Sequence, residues 1–99
     1  MARYKLSELA EEDLRLISAK TIEKWGLSQA KKYVSLLHET MIQIATTPTL
    51  GRNRPELFET ARSFPAQKHI VYYWQTEAGI EVARILHQRM DVLLSLIHI

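Results

Sequence analysis

Residues 7–47 carry two amphipathic helical stripes with a single glycine between them, and nothing else in the chain restricts the fold as much. Ala10, Leu14, Ile17, Thr21 and Trp25 recur at helical spacing and form one face of a first helix, closed by Trp25. Ser7 is placed to cap it, and Glu8, Glu11, Glu12 and Asp13 suit the positive end of its dipole. Gly26 reads as the glycine just past the helix end. Ser28 then caps a second helix, whose stripe is Ala30, Tyr33 with Val34, Leu37, Met41, and Ile44 with Ala45. Thr46-Thr47-Pro48 ends it. So short a link makes the helices an antiparallel hairpin. Neither stripe is buried by the other helix alone, so both require a sheet.

The remaining segments supply one. Arg3-Tyr4-Lys5-Leu6 alternates as a short first strand. Pro48 to Pro55 is a loop carrying Arg52 and Arg54, and a strand containing Arg62 is expected from Phe58 to Phe64. Pro65-Ala66-Gln67 connects to Lys68–Gln75, rich in aromatic and β-branched residues. Thr76-Glu77-Ala78-Gly79 is a hairpin turn into a last strand that begins at Ile80. The order β-α-α-β-β-β predicts an α+β domain, an antiparallel sheet packed against an N-terminal α-helical hairpin.

Composition excludes several classes. Ninety-nine residues, 46% apolar and 24% charged, make one globular domain and neither a disordered nor a fibrous chain. Without cysteine there is no disulfide framework and no Cys-ligated zinc, which suits a reducing cytoplasm. No apolar run reaches the roughly 18 residues of a membrane span, and no signal peptide is evident. A net charge of +2 is too balanced to announce nucleic-acid binding. The distribution of bases is more informative. Residues 1–47 hold five Lys and two Arg, residues 48–99 five Arg and one Lys. Arginine beside a sheet reads carboxylates or phosphates through its planar fork, so the second half is where a site is sought.

The last strand delivers Arg84, His87, Arg89 and Asp91 within eight residues. As nuclease candidates, Arg62 and Arg84 would serve a phosphate and His87 would act as acid or base. Strand alternation argues against the set, because Arg84 and His87 are three apart and point to opposite faces unless a bulge intervenes. The plainer readings are a strand-end histidine bonded to backbone or to Asp91, and an ion pair of Arg89 or Arg84 with Asp91. Gly51 is expected to supply a positive φ, with Arg52 tying its loop to the sheet. Arg62 is either a salt-bridged surface residue or part of an anionic contact. Trp25 and Trp74 are expected in the core. His38, Tyr72 and Tyr73 have no partner at metal-ligand spacing, so no metal is expected.

Several motifs, in register, carry a resemblance. They are Tyr4-Lys-Leu6-Ser7-x-x-Ala10-x-x-Asp13-Leu14, Trp25-Gly26-x-x-Gln29-Ala30, Pro48-x-x-Gly51-Arg52, Arg62 with His69 seven residues on, and Arg84-Ile-Leu-His87-Gln-Arg89-Met90-Asp91. Together they resemble the ParE toxins of the RelE/ParE superfamily. The resemblance implies a cytoplasmic toxin, without a cofactor, that binds DNA gyrase and blocks it so that cleaved DNA accumulates. It also implies a cognate antitoxin, partly disordered, that folds around the toxin. Neither a membrane nor sequence-specific nucleic-acid binding is implied. The sister RelE branch cuts mRNA on the ribosome, and a degenerate toxin kept for antitoxin binding is a third reading. Partner-binding candidates are Arg52, Arg62, Arg84, His87, Arg89 and Asp91, with Trp25, Gly26 and Gly51 structural. The domain is expected to span 1–93. Leu94–Ile99 resembles, in one frame, the translation of a transposon mosaic end, and reads as a non-native, adapter- or insertion-derived tail; a genuine apolar C-terminal element is the alternative.

Overall fold

The computed structural model describes residues 3–90, so Asp91 and the suspected tail at 94–99 lie outside the described residues. The chain runs β1 (Arg3–Leu6), α1 (Glu8–Trp25), α2 (Leu27–Thr46), a 3-10 turn (Pro48–Leu50), β2 (Arg52–Asn53), β3 (Arg62–Ala66), β4 (His69–Gln75) and β5 (Gly79–His87). The α+β class and the helical hairpin on one sheet are as the periodicity predicts. The five strands are ordered β1-β5-β4-β3-β2. The sheet is mixed, not wholly antiparallel as expected: β1 lies parallel to β5, with Tyr4 opposite Ile80 and Leu6 opposite Val82. The whole helical hairpin separates β1 from the meander, a crossover long enough to bring a parallel strand alongside. Alternation within β1 carries no information about that direction. Among the described residues no helix is long and apolar enough to cross a membrane.

Between helices and sheet lies one core. Ala10 and Ile17 of α1 and Leu37, Met41, Ile44 and Ala45 of α2 pack on Val71, Tyr73, Ile80, Val82 and Ile85. Two tyrosine–histidine contacts pin α2 to the sheet: Tyr33 Oη meets His69 Nδ1 at 2.6 Å, and Tyr4 Oη meets His38 Nδ1 at 2.5 Å. Gly26 forms the entire joint between the helices. At φ 90° it closes α1 by donating its N–H to Ile22 O, and Ala30 N–H bonds its carbonyl to open α2. The second helix therefore starts at Leu27, and Ser28 lies in its first turn instead of capping it.

The expected core position of Trp25 is wrong. The α1 stripe is buried at Ala10 and Ile17, half-buried at Thr21, and 63% exposed at Trp25. Helical spacing gives the side of a helix that faces the core, but not how far along its length the sheet extends. Ile22, Trp25 and Leu27 form an exposed hairpin tip. Trp74 is half-buried and meets Phe58 edge-on at 5.9 Å, outside the core cluster.

The expected strand at 58–64 begins four residues later and extends through Pro65 and Ala66. Residues 54–61 instead close a loop, with Arg54 N–H on Ala61 O and Leu57 N–H on Arg54 O. Proline fits because β2 pairs only with Arg62 and Ser63, which leaves Pro65 on an unpaired margin where no N–H is required.

Candidate partner-binding site

Beyond Leu6, β1 no longer covers the edge of β5, and residues of the β1–α1 junction and α1 take over. Ser7 donates its N–H to Val82 O and its hydroxyl to Ala83 O at 2.8 Å, and its Oγ accepts Ala10 N–H as the α1 cap. Ala83 is the extra residue of a bulge: Tyr72 pairs with Arg84 but Tyr73 with Val82. One turn further on, the buried carboxylate of Asp13 accepts from Arg84 Nε at 2.7 Å, Arg84 Nη2 at 2.8 Å and Ile85 N–H at 3.0 Å. This fork-on-fork pair raises the Arg84 pKa above its ordinary value through the hydrogen bond to Asp13. Asp13, read from sequence as a dipole-compensating acid and as part of the first motif, is thus a buried partner of the last strand.

The loop after α2 is organised by Arg62 and Tyr73. Arg62 Nη1 donates to Gly51 O at 2.7 Å, while Tyr73 Oη accepts Gly51 N–H at 2.8 Å and donates to Pro48 O at 2.7 Å. Gly51 has φ −70°, so no positive φ is involved. Its role is space: a Cβ there would run into the Tyr73 hydroxyl and ring. Arg52 joins its loop to the sheet through its backbone, paired with Ser63 as part of β2, while its side chain is exposed and the side-chain ties come from Arg62 and Arg54. Arg54 donates from Nε to Glu56 at 2.8 Å and from Nη1 to Ser63 Oγ at 3.2 Å. Of the three nuclease candidates, Arg62 holds a loop, Arg84 meets Asp13, and His87 lies elsewhere.

The bulge does not bring Arg84 and His87 together. Pairing from Arg84 through Ile85 and Leu86 to His87 is regular, opposite Tyr72, Val71, Ile70 and His69 in turn, so alternation separates the two side chains. His87 faces His69 instead, ring centroids 5.4 Å apart and edge to face. Each imidazole is oriented at Nδ1. His87 Nδ1 accepts Arg89 N–H at 3.2 Å, which puts the proton of the neutral ring on Nε2. For His69 the tautomer is assigned from the network. Tyr33 Oη accepts Lys68 N–H at 3.1 Å, and its own proton is suited to His69 Nδ1, the arrangement that places the neutral ring's N–H at Nε2. Burial first, and the neighbouring His87 second, push the His69 pKa down to about 4.

Two adjoining clefts of about 510 and 610 Å³ meet at Thr21, Trp25, His69 and His87. The first runs along α1 past Leu16, Lys20 and Lys24 to Arg89 and Met90; the second follows α2 toward Gln29, Tyr33 and Lys68. Lys24 Nζ lies 5.5 Å from the Trp25 ring centroid. Of the sequence candidates, His87 and Arg89 border this cleft, Arg52, Arg62 and Arg84 do not, and Asp91 is outside the described residues. His69, Tyr33, Lys20 and Lys24 were not anticipated here. Only the His69 in the Arg62–His69 motif offered a signal. Among the described residues no three His, Asp or Glu side chains come together as metal ligands would.

A helical hairpin set on a mixed five-stranded sheet, with its last strand braced by α1, is the RelE/ParE-like toxin architecture. The structure titled "Chromosomal ParDE TA system from P. aeruginosa" shares it at TM-score 0.73 and 20% identity, over 88% of this chain and 96% of that one. The "YoeB-YefM complex from Staphylococcus aureus" shares it at TM-score 0.57 and 18% identity, over 89% and 98%. Residues 4–92 match the family described as "ParE toxin of type II toxin-antitoxin system, parDE", and the chain belongs to that family. It is 38% identical over 92 residues to Toxin ParE1 of Mycobacterium tuberculosis, covering 92% of this chain and 94% of the relative.

Proposed function

We propose that this toxin works in the cytoplasm by binding, inhibiting DNA gyrase without bond chemistry of its own, and that a cognate antitoxin neutralises it. The observation that carries the non-enzymatic reading is the dispersal of the three nuclease candidates. Phosphodiester cleavage needs one group to take a proton and another to give one. Arg62, Arg84 and His87 do not share a site: Arg62 bonds Gly51 O, Arg84 bonds Asp13, and His87 lies in the cleft against His69. The exposed apolar side chains of Leu16, Trp25, Leu27 and Met90 support a macromolecular partner, since patches of this kind mark interaction surfaces.

Purified chain added to gyrase is expected to abolish supercoiling and accumulate cleaved DNA, while ribosomes translating a defined mRNA continue undisturbed. Codon-phased mRNA cuts with supercoiling intact would replace this reading with the RelE-type nuclease. Activity in neither assay would identify a degenerate toxin retained for its antitoxin.

A further inference from the structure

The cleft at the helix-hairpin tip combines three features. Its rim is basic: Lys20, Lys24, Lys68 and Arg89 line the two lobes, and the single carboxylate among the described lining residues, Asp13, is engaged by Arg84. Its floor carries two N–H donors. Every buried side-chain nitrogen or oxygen among the described residues has a hydrogen-bond partner, yet neither His69 nor His87 is bonded at Nε2. Neither Nε2 is therefore fully buried, and both rings line the cleft. Its wall is apolar, with Leu16, Trp25 and Met90 each at least half exposed.

We propose that this cleft recognises an acidic peptide segment, a Glu or Asp carboxylate seated on the two imidazole Nε2–H donors with a neighbouring apolar side chain against Trp25. A carboxylate is acceptor-only, so it complements two donors fixed by their Nδ1 bonds. Lys20, Lys24 and Arg89 hold the local field positive and favour an anion over a neutral amide. A phosphate would satisfy the donors equally, but a free phosphate leaves the apolar wall exposed. The segment is assigned to the antitoxin, and to that extent the inference rests on the proposed neutralisation.

The test separates the two. The peptide acetyl-(Leu-Glu-Glu)₃-amide and its Leu-Gln-Gln counterpart are titrated into the full chain while imidazole resonances are followed by NMR. The acidic peptide should shift the Nε2 signals of His69 and His87, with the effect falling as salt rises; equal shifts from both peptides, or none, overturn the proposal. The candidate antitoxin, taken as the product of a reading frame next to this one, is then measured by calorimetry against His87→Phe, His87→Gln and Lys20→Gln/Lys24→Gln. His87→Phe should bind about tenfold more weakly, His87→Gln should recover most of the loss through its amide N–H, and the lysine double variant should weaken binding and flatten its salt dependence. Tight binding untouched by all three variants overturns the cleft assignment while leaving neutralisation standing. Failure of that product to bind, with the acidic peptide still recognised, removes neutralisation by that product instead. Because Lys20 and Lys24 are exposed, loss of folding in a histidine variant leaves the lysine arm to decide.

Discussion

Arg84 reaches Asp13 across 71 residues of sequence and grips it with two nitrogens at 2.7 and 2.8 Å, while the same carboxylate takes the N–H of Ile85. The pair fastens α1 to β5 past the point where β1 ends, and both side chains are largely excluded from solvent. Asp13→Ala removes the buried carboxylate to which Arg84 Nε, Arg84 Nη2 and Ile85 N–H donate. The expected loss is about 3–5 kcal/mol, the usual result of removing one member of a buried pair. Urea unfolding of Asp13→Ala, Arg84→Met and the double variant should give less than additive losses. Additive losses would mean the two residues act independently.

Gly51 is constrained by what stands next to it. Gly51→Ala drives a methyl into the Tyr73 hydroxyl and ring, and should destabilise by about 1–3 kcal/mol. Tyr73→Phe alone forfeits the bonds to Gly51 N–H and Pro48 O. Combined with Gly51→Ala it removes the atom met first by the new methyl, so the double variant should be more stable than the two losses summed. Thermal unfolding of all three variants provides the comparison.

Trp25→Ala is expected to change stability by less than about 0.5 kcal/mol, because the indole is 63% exposed. Its effect should fall on binding, with antitoxin affinity reduced by about 2 kcal/mol if Trp25 anchors the interface as aromatic hot spots do. An unfolding midpoint several degrees lower, with affinity unchanged, would return Trp25 to a structural role.

His69 gives the fold a defined acid sensitivity. Its folded pKa, about 4, lies below the ordinary 6.5, so between these values the unfolded chain binds a proton that the folded chain refuses. Its contribution to stability is complete above pH 6.5, falls as the pH drops toward 4, and levels off below that. Allowing for the solvent that still reaches the ring, the loss is about 1–2 kcal/mol. His69→Gln should flatten this limb of the stability–pH curve, and the His69 ring protons should titrate near pH 4 by NMR. Titration near 6.5 would show that neither burial nor His87 opposes the charge.

Much of this molecule was legible in local spacing. The apolar stripes located both helices, Gly26 located the joint between them, and the alternation from Arg84 to His87 separated those two side chains as the register does. These features repeat within a few residues, and hydrophobic periodicity reports them directly. What the sequence left open depended on which distant segments meet. The direction of β1, the burial of Asp13, the absence of space for a Cβ at Gly51 and the exposure of Trp25 are all set by neighbours 22 to 76 residues away or by where the sheet stops. Tertiary packing also chose the cleft, because it brought His69 opposite His87 and set both beside the lysines of α1. Periodicity records which side of an element is apolar, and only the assembled chain decides what that side, and the polar groups beside it, come to touch.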